Sequence, residues 1–189
     1  TAMGARPVEW LLAHAPVDAR WNLVHATQST VAELQGVQRS GAAIVICPTT
    51  EANLGDGVFD LPAYAAAGGH WSIGSDSHVT RSWQEELRLL EYSQRLTLRQ
   101  RNIAGRMPAS SSSADNLFNA ALAGGHAATS LPLGGIAPGQ RADFVQPLAR
   151  GLLRRQRGAN QQIFDFVQHG RVCMRRCLAA RDSPSYYTA

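Results

Sequence analysis

Asp76 stands in the stretch HWSIGSDSHV, residues 70–79, where a short apolar run gives way to a Gly, a Ser and then the acid. A carboxylate in that setting can end a strand as an Asx turn, or it can be aimed at a metal or a substrate. Two further polar sets share the setting. His25 directly follows the apolar pair Leu23 and Val24, and Thr49 to Asn53 directly follow the run AAIVIC and Pro48. An imidazole and carboxylates at strand ends are groups that move protons or hold a divalent ion. The competing readings are structural: a buried histidine satisfied by backbone for His25, and a tight turn built on Gly55 and Gly57 for Glu51 and Asn53. His78, two residues past Asp76, is placed to hydrogen-bond within the loop and hold the acid.

The elements that must position these groups follow from pattern. PVEWLLAH, 7–14, reads as a helix with Pro7 in its first turn, and it ends before Pro16. RWNLVHAT is a short strand leading to His25, followed by a helix in STVAELQGVQRSG that stops at Gly41. AAIVIC is a β-branched strand opening into TTEANLGDG, read as a Gly-rich loop; a short helix in DLPAYAAAGG precedes the strand HWSIGSD. Residues 82–102 form the longest helix, with Ser82 and Glu85 as a capping box, acids early, arginines late, and Leu89, Tyr92 and Leu96 as its buried stripe. MPASSSSAD is a loop, and DNLFNAALAGGHAATSL is a helix that Gly124 and Gly125 end or weaken. Strands beginning near 22, 43 and 71, alternating with helices, predict parallel β/α units, which carry ligand chemistry at the C-terminal ends of their strands. His25, Thr49 to Asn53, and Asp76 with His78 all fall at such ends.

Composition bounds the rest. With 189 residues, 44% hydrophobic and 17% charged, the chain can build a domain core. It has neither an apolar run near the roughly 20 residues of a membrane helix nor a signal-like start. Cys47, Cys173 and Cys177 are an odd set without metal-type spacing, which fits a reducing, cytoplasmic setting. Charge is uneven: residues 1–140 hold 9 Arg and 11 acids, and residues 141–189 hold 9 Arg and 3 acids. The basic tail lacks interleaved aromatics and reads as a solvated face, so neither nucleic acid nor membrane is expected as a partner. Its Gly/Pro-rich GGIAPGQRADFVQ enters a strand, and IFDFVQHGRVCMRRC reads as two strands around a His-Gly turn. The expected organisation is an α/β part over 1–140, a small β element over 141–178 and a frayed, disordered tail over 179–189.

In order, RPVEWLL, LVHAT, CPTTEANLGDG, SIGSDSH, EELRLLEYSQRL and GGIAPGQRADF resemble the C-terminal half of the formimidoylglutamate deiminases of the amidohydrolase superfamily. The likeness runs from about residue 5 to 144 and returns over 163–177; it departs over 145–162, and Gln28 stands where that family usually repeats a His. It implies a metal-dependent hydrolase of a C–N bond, releasing ammonia from the small molecule N-formimino-L-glutamate in histidine degradation, with a homodimer as the complete enzyme. The implied fold is the last three β/α units of a (β/α)8 barrel, the sixth to eighth strands, with an appended C-terminal β element. By the same resemblance Asp76 is the eighth-strand aspartate, ligand to one divalent ion, usually Zn2+, and acceptor of the attacking water's proton. His25 is then the sixth-strand histidine that polarises the bond under attack, and Glu51, Asn53 and His78 are candidate substrate contacts. The family's remaining ligands, a His-x-His pair and a fifth-strand His, have no counterpart among His14, His25, His70, His78, His126 and His169. A zinc site needs three or four protein ligands, so the isolated chain is expected to be inactive. The alternatives are another deaminase of the superfamily, acting on a nucleobase or a chlorinated ring, and a non-catalytic fragment with a basic binding tail.

Overall fold

The computed structural model describes residues 4–132, 138–141, 143–148 and 173–179. Three short strands, β1 (Asn22–Val24), β2 (Ala43–Ile46) and β3 (Trp71–Ile73), form a parallel sheet in the order β1-β2-β3. Helix α1 (Pro7–His14) precedes β1, and α2 (Val31–Ser40) links β1 to β2. Helices α3 (Pro48–Leu54) and α4 (Leu61–Ala66) link β2 to β3, and α5 (Trp83–Leu98), a 3-10 turn (Ala104–Arg106) and α6 (Ser113–Thr129) follow. The strand-and-crossover pattern read from the sequence is therefore present.

Local chemistry explains the boundaries. Thr30 caps α2, its hydroxyl accepting from the Glu33 N–H while the Glu33 carboxylate takes the Thr30 N–H, and Gly41 closes the helix at φ 79°. Glu33 also binds Arg6 at 2.8 Å and the Glu9 N–H at 3.1 Å, which ties α1 to α2. β2 is the centre of the core: Ile44 and Ile46 are fully buried among Leu34, Val37, Phe59, Tyr64, Leu87, Leu90 and Leu117.

Three expectations need correction. TTEANLGDG is not a loop throughout, because Pro48 at the first helical position and Gly55 in the left-handed C-cap position frame a seven-residue helix, α3. The buried stripe of α5 is not Leu89, Tyr92 and Leu96; Tyr92 is 36% and Leu96 80% exposed, and the inward face carries Leu87, Leu90, Gln94 and the acids Glu86 and Glu91. Those acids are buried because backbone donors meet them. Glu86 accepts from the Thr49 N–H and hydroxyl at 2.9 and 2.6 Å, and Glu91 from the N–H groups of Ile103 and Ala104 at 2.9 and 3.0 Å. Lastly, Gly124 and Gly125 do not end α6, which runs on to Thr129; Gly124 lets the helix touch the sheet, since a Cβ there would lie 1.9 Å from the Trp71 carbonyl oxygen.

Near the C-terminus, β4 (Asp143–Leu148) and β5 (Cys173–Ala179) pair antiparallel, from Asp143 opposite Ala179 to Leu148 opposite Cys173, with an irregularity between Val145 and Pro147. The expected strand over 163–168 and its His-Gly turn lie outside the described residues, as do 180–189 of the expected tail.

Candidate active site

The parallel register brings three chain segments to one end of the sheet. His25 follows the last residue of β1 and its N–H donates to the Val45 carbonyl at 2.8 Å; Cys47 follows β2; Gly74 follows β3 and its N–H donates to the Ile46 carbonyl at 3.0 Å. Two residues beyond Gly74 the chain reaches Asp76. His25, Ala26, Asp76 and His78 all sit at positive φ, 69°, 55°, 36° and 58°, although none is a glycine. Left-handed backbone at bulky residues costs about 1–3 kcal/mol each and persists where the surroundings impose it. Here it turns the two loops so that His25 and Asp76 face each other.

The facing groups are close. His25 Nε2 lies 3.5 Å from Asp76 Oδ2, with the side chains 33% and 41% exposed, so the pair opens to solvent. The other ring nitrogen, Nδ1, lies 3.2 Å from Glu51 Oε1, and Glu51 is only 4% exposed. The same Oε1 accepts the Cys47 N–H at 2.8 Å. Burial pushes the Glu51 carboxyl above its ordinary range, against the lowering influence of the Cys47 N–H and of His25. Cys47 is buried beneath the pair, and burial, followed by the charges of Glu51, Asp76 and Glu86, pushes its thiol up to about 12. It is a thiol at neutral pH and not a nucleophile.

The loops are pinned by hydroxyls and amides whose bracing role the sequence did not show. Thr50 Oγ1 and Ser77 Oγ are 2.9 Å apart, and Thr50 Oγ1 accepts the Ser77 N–H at 3.3 Å, which fixes the residue next to Asp76. Thr27 and Gln28 donate from their side chains to the Asp56 carbonyl at 2.9 and 2.7 Å, joining the loop after His25 to the turn after α3. Gln28 is thus a bracing residue here. The one hint available beforehand was the density of Ser and Thr in these loops. Asn53 lies on the exposed side of α3, and His78 is exposed, its backbone N–H bound to the Ser75 carbonyl at 2.7 Å. The structure brings His25, Asp76 and Glu51 together and leaves Asn53 and His78 at the solvent surface.

Ligand atoms of His25, Cys47 and Asp76 lie within 4.8 Å of one another, and among the described residues no other group of three His, Cys, Asp or Glu has this closeness. The carboxylate oxygen of Asp76 suits a zinc-like divalent ion, with His25 beside it and the buried Cys47 thiol a weaker donor.

The three-stranded parallel sheet with its helices is consistent with part of a barrel, and the solved structures that the chain matches are amidohydrolase barrel proteins. An amidohydrolase from Brucella melitensis superposes with a TM-score of 0.84 at 40% identity, over 93% of this chain and 38% of that one. An adenosine deaminase from Xanthomonas campestris with bound zinc superposes at 0.71 and 24% identity, over 85% and 36%, a likeness of fold alone. The particular resemblance drawn from the motifs is also shown: the chain is 49% identical over 150 residues to formimidoylglutamate deiminase of Pseudomonas aeruginosa, covering 75% of this chain and 31% of that protein. The chain spans about a third of the length of these relatives. No family model matches it. Among the described residues no helix is long and apolar enough to cross a membrane.

Proposed function

We propose that this chain carries the last part of the active site of a metal-dependent hydrolase that cleaves a C–N bond and releases ammonia, with N-formimino-L-glutamate as the substrate. The observation that supports it most directly is the approach of His25 Nε2 to Asp76 Oδ2, 3.5 Å, at the C-terminal end of a parallel sheet. The 49% identity to formimidoylglutamate deiminase supports the substrate class. A divalent ion held by Asp76, with ligands from outside this chain, would acidify water toward neutral pH. Asp76 is placed to take the proton of the attacking water as oxygen adds to the formimino carbon. His25 Nε2, beside Asp76, is placed to receive that proton and pass it to the departing nitrogen, so that ammonia leaves and the formyl product remains. Glu86 and Glu51, bound to the two ends of the first turn of α3, keep that helix and the floor of the site in place.

The test is ammonia release by the full-length protein. Asp76→Asn preserves shape but removes the proton acceptor and a charge at the ion, and should lower turnover by several orders of magnitude. His25→Asn should fall nearly as far, and His126→Asn should change little. Turnover should be higher with N-formimino-L-glutamate than with adenosine. Near-normal activity in the Asp76→Asn protein would leave Asp76 as a turn residue and end this reading.

A further inference from the structure

We propose that Glu51 is a positioning residue: its carboxylate takes the Nδ1–H of His25 and so aims Nε2 at Asp76 and the reacting atoms. The geometry carries this. Glu51 Oε1 already accepts the Cys47 N–H at 2.8 Å, so that oxygen is an acceptor, and the His25 Nδ1 that lies 3.2 Å from it must bring the hydrogen. This holds whether or not a proton resides on Oε2. The carboxylate cannot swing away cheaply. It is 4% exposed, it belongs to the first turns of α3, and leaving would strand the buried Cys47 N–H. The ring cannot turn freely either, because His25 is held at φ 69° with its own N–H bound to Val45. A carboxylate behind one imidazole nitrogen sets which nitrogen does the chemistry at the other. Glu51 thus acts on the reaction through His25, not as a substrate contact.

The catalytic consequence rests on the hydrolase reading; the tautomer does not. The experiment is a long-range 1H–15N correlation spectrum of the full-length, metal-free protein labelled at the histidine nitrogens, with His25→Gln identifying the signal. The expected wild-type spectrum has a hydrogen on the Nδ1 of His25. Glu51→Ala should shift His25 to the Nε2–H form that free imidazole side chains prefer, whereas Glu51→Gln, which keeps an acceptor at the same position, should retain Nδ1–H. Glu51→Met fills the space without an acceptor and replaces Glu51→Ala if that variant fails to fold. In turnover, loss of the acceptor should lower kcat about 10–100-fold with a much smaller change in KM, and Glu51→Gln should recover most of it. A wild-type His25 without a hydrogen on Nδ1, or an acceptor-free variant that keeps Nδ1–H, overturns the proposal. A correct tautomer in a wild-type protein that releases no ammonia overturns the hydrolase reading alone.

Discussion

Asp76 and His25 were legible because each follows a short apolar run, and a strand's last residue and the turn after it have predictable places in a parallel sheet. Their mutual distance was not legible, since it depends on left-handed backbone at His25, Ala26, Asp76 and His78, which no local sequence pattern dictates for non-glycine residues. Cys47 was read only as one of an odd set of cysteines without metal-type spacing; buried next to His25 and Asp76, it is a sensitive probe of the packing there. With its thiol raised to about 12 by burial and by Glu51, Asp76 and Glu86, Cys47 should resist iodoacetamide at pH 8 in the native protein and react on unfolding, where a free thiol titrates near about 8.5. Peptide-resolved mass spectrometry separates it from Cys173 and Cys177. The linkage has a definite sign. The folded thiol holds its proton longer than the unfolded one, so its contribution to stability is complete below about pH 8.5 and is lost as pH rises toward 12. Alkylation of Cys47 as fast in the native as in the unfolded protein would contradict the packing described.

At the scale of elements, the order and type of the strands and of most helices were legible from pattern, but the buried faces were not. The inward side of α5 carries Glu86 and Glu91, and no periodicity rule predicts buried acids unless their partners, the N–H groups of Thr49, Ile103 and Ala104, are known. The two adjacent glycines of α6 show the same limit. Only the contact with Trp71 distinguishes them, and it predicts opposite outcomes. Gly124→Ala forces α6 away from β3 and should destabilise by about 1–3 kcal/mol, while Gly125→Ala meets nothing within 4 Å and should stabilise by up to about 1 kcal/mol. Urea unfolding of the two variants decides it; equal effects would mean that α6 does not lie against the Trp71 carbonyl. The α1–α2 contact offers a pH test. Burial alone would raise the Glu33 carboxyl, but hydrogen bonds from Thr30, Arg6 and the Glu9 N–H outweigh it and hold the group at about 2. A depressed carboxyl stabilises above its unfolded value of 4.5 and loses that contribution as pH falls toward 2. Glu33→Gln should therefore cost on the order of 1–2 kcal/mol at pH 7 and much less near pH 2, measured by denaturant midpoint.

For the molecule as a whole, the two outer sides of the three-stranded sheet are not equivalent. The register turns the Trp71 carbonyl away from β2, and α6 lies against it through Gly124, so the outer side of β3 is covered there. β1 has β2 on one side only among the described residues, and Asn22 and Val24, its outward positions, are exposed, Val24 at 51%. The central strand leaves nothing open, since Ile44 and Ile46 are completely buried. What stays open is one strand edge with a β-branched residue on it, a template for pairing with another strand. In a closed barrel that edge is occupied by a neighbouring strand. The 189-residue segment expressed by itself should therefore self-associate through β1, and Val24→Lys should reduce the association without lowering the thermal midpoint, since Val24 contributes little to the core. Light scattering after size exclusion, over a range of concentrations, reads this directly. A monodisperse wild-type monomer, or association unchanged by Val24→Lys, would place the sticky surface elsewhere than the β1 edge.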